Sequence, residues 1–366
     1  MKILFITPYG GYTGSEILIW QLMQELHKRG KEVAWFSRHQ GALFNQKGEV
    51  AFPTKFHLQR SSFLHSIYEG VYVKAVGNTL VDTALLRYHK QIKPDLWYLN
   101  TATMPGVAAL ARKLGIPYVV HFHELTSVFD EHSPEAFMAM LAGAQKLVGC
   151  AALVQRRIQQ AGFPKVELLY SCIDHQRIQI RQPVATIRQR MGIPEDAFVW
   201  MMSGTASLRK GYDLIPDLLN QLPDNAWIVW LGKARDSALT TYVEQRVAQE
   251  NLRYIALSEH STDYFDYLNT TDGFVLTSRE DPFPLVMIEA AALGKPIAAF
   301  NSGGVSEFVK SGMGGVVDSF NPVDLGKLMR NIMDGSLPVS AATSQEHASR
   351  FTIPHSADDF CRIFSI

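Results

Sequence analysis

Short apolar runs alternate with longer amphipathic segments along nearly the whole chain, and they do so in two series. The first comprises residues 2–7, 32–37, 96–100, 118–123, 146–153 and 166–171. The second comprises 198–203, 226–231, 252–257, 273–278, 296–300 and 315–317. Runs apolar on both faces, joined by helical stretches, are the pattern of parallel sheets covered on both sides. Two such series predict an α/β chain with two Rossmann-like, doubly wound domains. At 366 residues the chain is also too long for one ordinary core. A polar segment, 174–184, carries Arg177, Arg181 and Pro183 and separates the two series. It divides a first domain, 1–175, from a second, 184–345. The tail from 344 to 366 is helical in spacing.

Composition excludes several classes. Lys plus Arg (35) balances Asp plus Glu (35), so no net basic charge argues for nucleic acid. The three cysteines, Cys150, Cys172 and Cys361, are scattered without ligand spacing, which reads as ordinary thiols in a reducing compartment. The apolar start ends at Pro8, too short for a secretory core, and reads as a buried first strand. No apolar run approaches the about 18 residues of a membrane span. The expectation is a cytoplasmic protein. Residues 62–90 read as a pair of core-packing helices. The sharper alternative is that Lys74, Arg87, His89 and Lys90 form a basic face, touching the inner face of a membrane or a lipid-linked acceptor.

The chemistry concentrates at 278–290. Prolines 282 and 284 set a turn between an apolar run and a small-residue helix that continues to Gly294. Pro284 suits the first helical position, and the N–H groups after it form a phosphate site. Asp281 lies just before the helix and Glu289 eight positions on, at different depths along one ligand's path. Ala290, Ala291 and Ala292 mark the helix as packed, so Glu289 needs a partner. At 202–214, Gly204 allows close backbone approach and Lys210 offers a point charge, although a Lys-Gly pair is commonly a solvated turn. The Gly-rich loop 8–16 leads into a helix over 15–28 that Gly30 ends, and it lacks a dinucleotide fingerprint. His121 and His123 share one strand face. No third metal ligand follows at sensible spacing, so satisfied polar residues at a sheet end are the default.

With its acidic residue, seven others, then Glu at 281–289, the chain resembles the retaining glycosyltransferases of family 4, the glycosyl transferases group 1. The resemblance implies the GT-B architecture of two facing Rossmann-like domains, with the last helix, 350–366, returning to the first. It places Glu289 on the ribose hydroxyls of a nucleotide and Asp281, where the family has Glu, on the donor sugar, with Glu280, one residue too far from Glu289, the competing candidate. Lys210 falls where the family keeps its diphosphate-binding Lys. Thr205 follows Gly204 where Arg is frequent, and Arg209 is the candidate second cation. The turn of Phe283, Pro284, Leu285 and Val286 would face sugar and diphosphate. Thr13 to Glu16 matches the family's Gly-Gly-x-Glu loop, which puts Gly14 near the diphosphate and acceptor. His123 takes the position of a His that faces the donor sugar, with His121 the alternative. Residues 169–174 and 301–309 match two further family loops.

The implied activity is transfer of a sugar, with retention, from a nucleotide-sugar, UDP- or GDP-linked by preference. The acceptor would be a glycan, a lipid-linked molecule or a small molecule, as in polysaccharide biosynthesis. No Asp-x-Asp is present, so neither a metal nor another cofactor is expected. The competing readings are a sugar-nucleotide epimerase or phosphorylase of the same fold and a non-catalytic nucleotide-sugar-binding subunit.

Overall fold

Ile3, Leu4, Phe5 and Ile6 are all fully buried, as are Leu96, Trp97, Tyr98 and Leu99. Consecutive burial means that both faces of each strand are covered, the condition of a parallel sheet between two helical layers. The computed structural model describes residues 1–11, 13–45, 51–57, 72–75, 77–125, 133–232, 234, 237–257 and 263–366. It divides into two units, Met1–Ser171 with Ile353–Ile366, and Cys172–Thr352.

The first unit runs β1 (Lys2–Tyr9), α1 (Gly14–Lys28), β2 (Glu32–His39), β3 (Thr54–Phe56), α2 (Leu80–Ile92) and β4 (Leu96–Leu99). It continues with α3 (Pro105–Lys113), β5 (Tyr118–Phe122), α4 (Pro134–Gly143), β6 (Lys146–Gly149), α5 (Ala152–Gln160) and β7 (Val166–Leu168). Its strands pair in parallel in the order β3-β2-β1-β4-β5-β6-β7.

The second unit repeats the plan with α6 (Val184–Met191), β8 (Phe198–Ser203), α7 (Ile215–Leu219), β9 (Ala226–Leu231), α8 (Ala238–Gln249) and β10 (Tyr254–Leu257). Then come α9 (Tyr264–Thr270), β11 (Gly273–Leu276), α10 (Leu285–Ala292), β12 (Ile297–Phe300), α11 (Val305–Phe308), β13 (Gly314–Val317), α12 (Pro322–Met333) and α13 (Ala341–Ala348). Its sheet order is β10-β9-β8-β11-β12-β13. Counted from its own first strand, the second unit reads 3-2-1-4-5-6, the doubly wound order, and the first reads the same with a seventh strand added at the end.

The last helix, α14 (Ile353–Phe364), belongs to the first unit. Phe360 and Phe364 pack on Tyr98 with ring centroids 5.5 and 5.8 Å away. Arg29, at the end of α1, holds Asp358 at 2.6 Å.

Three expectations shift. The run 146–153 splits, because the strand stops at Gly149 and α5 begins at Ala152. A Cβ at Gly149 would lie 3.0 Å from the Gln155 amide nitrogen, so the chain turns back there without room for a side chain. Strand β3 had no sequence signal: three residues after Pro53 are too short to show a pattern. Pro284 caps α10 and does not occupy its first turn. Of the stretch 62–90, residues 62–71 and 76 lie outside the described residues. Its last part is α2, with Val81, Leu85 and Tyr88 inward. Among the described residues no helix is long and apolar enough to cross a membrane.

Candidate functional site

In an open α/β sheet, ligands bind beyond the carboxyl ends of the strands where the strand order reverses. That point lies between β8 and β11 in the second unit and between β1 and β4 in the first. The sequence-predicted residues cluster at these two places.

In the second unit, β8 ends at Ser203 and Gly204 follows with φ +140°. The chain then loops through the exposed Thr205 and Arg209 to Lys210. Gly211 closes the loop at φ +69°, where a Cβ would stand 2.2 Å from the Thr277 carbonyl oxygen. Thr277 Oγ1 donates to the Lys210 carbonyl at 2.7 Å, and the Arg279 amide to the Arg209 carbonyl at 2.8 Å. The loop is thus laid along the end of β11.

This docking brings together two residues 71 positions apart: Lys210 Nζ donates to Asp281 Oδ2 in a short ion pair. Asp281 is 7% exposed, and its amide donates to the Ser302 carbonyl at 2.9 Å. Its place is therefore fixed by backbone as well as by charge. Arg209 turns elsewhere, donating from Nη1 to the Glu280 carbonyl at 2.8 Å. Arg279, which the sequence analysis passed over, grips Asp213 with two bonds of 2.8 and 2.7 Å and bonds the Leu208 carbonyl, bracing the same loop.

Beyond Asp281, Pro284 caps α10, whose first-turn N–H groups have no acceptors within the helix. The Phe283 side chain is buried against Phe351 and Phe308, 5.6 and 6.1 Å away, which leaves only its backbone for a ligand. Leu285 and Val286 are half-buried. Glu289, one turn or more along α10, accepts from the Tyr264 hydroxyl at 2.7 Å. Burial raises the Glu289 carboxyl above its ordinary range, while the Tyr264 bond and the charge of Arg177 oppose that rise. The expected partner exists, but neither Tyr264 nor Arg177 was identified from sequence. The signal was faint: an aromatic residue opening a helix, and an Arg in the polar connector.

In the first unit, α1 starts at Gly14, with Thr13 as its cap. The Thr13 hydroxyl and amide both donate to Glu16 Oε2, at 2.8 and 3.2 Å. Glu16 is 5% exposed, and burial raises its carboxyl. Tyr12 lies outside the described residues. Asn100, just past β4, donates from Nδ2 to the Ser15 carbonyl at 3.1 Å, which assigns its Oδ1 as the acceptor facing His123 Nε2 at 3.1 Å. In a neutral His123 the proton then sits on Nε2 and the lone pair on Nδ1. Asn100 thereby ties His123 to the α1 entry that carries Gly14. Burial pushes the His123 imidazole down to about 3. His121 is 1% exposed, takes the Tyr98 hydroxyl at 2.8 Å, and is pushed well below its ordinary value chiefly by burial. The two imidazoles lie side by side with centroids 4.1 Å apart and planes tilted by 50°, as residues on one strand face. His121 is filled with core contacts; His123 is the half-buried one.

Among the described residues no group of three or more His, Cys, Asp or Glu side chains could hold a metal ion.

The description Glycosyl transferases group 1 matches residues 184–350, and Glycosyltransferase Family 4 matches residues 12–177, so the two adjoin and take in most of the chain. A D-inositol 3-phosphate glycosyltransferase of Catenulispora acidiphila is 25% identical over 70% of this chain and 68% of its own. The lipopolysaccharide core biosynthesis glycosyltransferase LpsD of Rhizobium meliloti is 24% identical over 100% of this chain and 98% of its own. Two further curated relatives are matched over only 58% and 51% of their own length. A crystal structure of Anabaena HepE in complex with UDP-glucose superposes with a TM-score of 0.83 at 20% identity, covering 100% of this chain and 99% of that one. It shares the fold.

Proposed function

Because this chain belongs to the group 1, family 4 glycosyl transferases, we propose that it is a metal-independent, retaining glycosyltransferase that takes its sugar from a nucleotide-sugar. The observation that carries the reading is the meeting of Lys210 with Asp281 directly before the amino end of α10. A cation, a carboxylate and a helix N-terminus within a few residues match what a nucleoside diphosphate-sugar presents: an anionic leaving group next to hydroxyls.

Each residue then has a role. Lys210 leaves Asp281 for the diphosphate when donor binds, and Gly204 and Thr205 line the loop along its path. Arg209 adds longer-range positive charge. The backbone of Phe283, Leu285 and Val286, set by Pro284, meets the phosphate and sugar. Asp281 binds sugar hydroxyls, and Glu289 binds the ribose. In the first unit His123 acts on the sugar as a neutral imidazole, and Gly14 belongs to the loop that meets diphosphate and acceptor. Negative charge on the departing diphosphate is stabilised by preorganised groups and needs no metal.

Of the two donor bases, UDP is favoured by the likeness to HepE, whose structure is described with UDP-glucose. The acceptor is a glycan or a lipid-linked saccharide, in keeping with the relative named for lipopolysaccharide core biosynthesis. Thermal shift with UDP, GDP and their sugar conjugates tests the donor, since a ligand of the folded state raises stability by about 2.7 kcal/mol at 100 times its Kd. No stabilisation by any of them would remove the reading.

A further inference from the structure

We infer that Tyr264, assisted by Arg177, is a positioning residue that holds Glu289 as an oriented carboxylate for the two ribose hydroxyls of the donor. The inference rests on the proposal that Glu289 binds ribose.

A carboxylate that receives a diol must offer acceptor lone pairs in two directions; a protonated carboxyl gives up part of that capacity. Glu289 sits in an otherwise apolar helix where burial favours its neutral form. It therefore needs a donor that is itself immobile. The Tyr264 hydroxyl supplies it at 2.7 Å, and the Ser203 side chain bonds Tyr264 in turn. Tyr264 opens α9, and that helix is pinned at several points. Arg190 bonds Asp263 and the Tyr267 hydroxyl, each at 3.0 Å. Asp266, 1% exposed, accepts the amides of Arg181 and Gln182 at 2.6 and 3.1 Å. The hydroxyl is thus delivered to Glu289 Oε2 from a fixed platform, and among the described residues Oε1 is left for the ligand.

The charged or titratable groups acting on Glu289 among the described residues are Tyr264 from α9 and Arg177 from the connector before α6. Those on α13, which packs against α10, act elsewhere: Glu346 and His347 interact with each other and with Lys310 and Arg350. The Tyr264 phenol is driven well above its ordinary value by burial and by Glu289, so it stays a donor at every working pH.

The test is calorimetric titration with UDP and with 2′,3′-dideoxy-UDP at pH 8 and pH 6, using wild type, Tyr264→Phe, Arg177→Ala and Glu289→Gln. Tyr264→Phe should weaken UDP about 5- to 10-fold at pH 8 and by a larger factor at pH 6, because Glu289 then protonates more readily. Arg177→Ala, at an exposed position, should show the same trend with smaller factors, and it carries the test if Tyr264→Phe does not fold. Glu289→Gln should show a pH-independent loss, and the dideoxy nucleotide should bind wild type and Tyr264→Phe alike. Ionisation of the nucleotide phosphate is common to all proteins and cancels in each ratio. A mutant-to-wild-type ratio that stays flat with pH, or an equal loss with the dideoxy ligand, overturns the inference while Glu289→Gln still weakens binding. Wild-type affinity in Glu289→Gln overturns the ribose assignment beneath it.

Discussion

The two units share one sheet order but differ at the place where that order reverses. In the second unit the loop after β8 carries Arg209 and Lys210, and it is strapped to the end of β11 so that Lys210 meets Asp281. In the first unit the loop after β1 carries no cation. The charged residue next to it is the buried Glu16 in the first turn of α1, bonded to the Thr13 cap, and the ends of β4 and β5 supply Asn100 and a neutral His123. One fold thus carries a charged end, with a lysine and a carboxylate, and an uncharged, hydrogen-bonding end, with the difference written in a few loop residues. In each unit the strand order fixes where a ligand can sit, and the side chains at the strand ends decide what chemistry it would meet there.

The largest expected effect tests the neutral end. His123→Ala should lower sugar transfer by about 100-fold, the scale for one group acting in the transition state, with nucleotide affinity nearly intact. Because His123 is pushed down to about 3, its own titration should leave no mark on the rate between pH 5 and 9. Normal transfer by His123→Ala in a steady-state assay would erase the comparison and turn attention to His121. Next, Lys210→Ala should cost nucleoside diphosphate binding about 2–3 kcal/mol, as for a charged hydrogen bond, and leave the bare nucleoside unaffected. Arg209→Ala should cost less, since Arg209 bonds a backbone carbonyl. Equal losses by calorimetry in the two variants would mean the loop acts as a diffuse charge and not through Lys210.

Much of this contrast was readable from sequence, and the limits have physical causes. The strands were legible because burial on both faces leaves continuous apolar runs, and α1 because its periodicity is bracketed by a loop and Gly30. The need of Glu289 for a partner followed from the alanines beside it. The partner did not, because Tyr264 lies on a different helix, α9, 25 residues away in sequence. The Lys210–Asp281 pair spans 71 residues and depends on Gly211 fitting under Thr277. Asn100 read only as the last residue of a strand; its control of the His123 proton appears once Ser15 is seen to fix its amide.

A smaller effect concerns the two glycines that close helical or loop ends. Gly211 and Gly30 have similar φ, +69° and +76°, but a Cβ at Gly211 strikes the Thr277 carbonyl whereas one at Gly30 meets nothing within 4 Å. Gly211→Ala should therefore destabilise by about 1–3 kcal/mol beyond the strain of the left-handed backbone alone, and nucleotide affinity should fall with it. Gly30→Ala should cost about 1 kcal/mol without touching binding. Similar losses in chemical denaturation would show that the strap between the loop and β11 yields easily.

The smallest expected effect is none at all. If Lys210 and the amino end of α10 carry the charge of the departing diphosphate, transfer by enzyme stripped with EDTA should run at the rate seen with added magnesium. A lysine and a helix N-terminus stand within a few residues of each other, both able to stabilise an anion, and Lys210 is held by Asp281. The sharper form of the experiment uses Lys210→Ala. With the lysine gone, added magnesium should restore only a little of the lost rate, because the nearby carboxylate, Asp281, is anchored in the turn by the Ser302 carbonyl and is not joined by further ligands of a metal cluster among the described residues. Activity abolished by EDTA in the wild type and recovered with magnesium or manganese would show that the cationic end of the second unit is incomplete by itself, and the contrast with the first unit would then lie in metal binding.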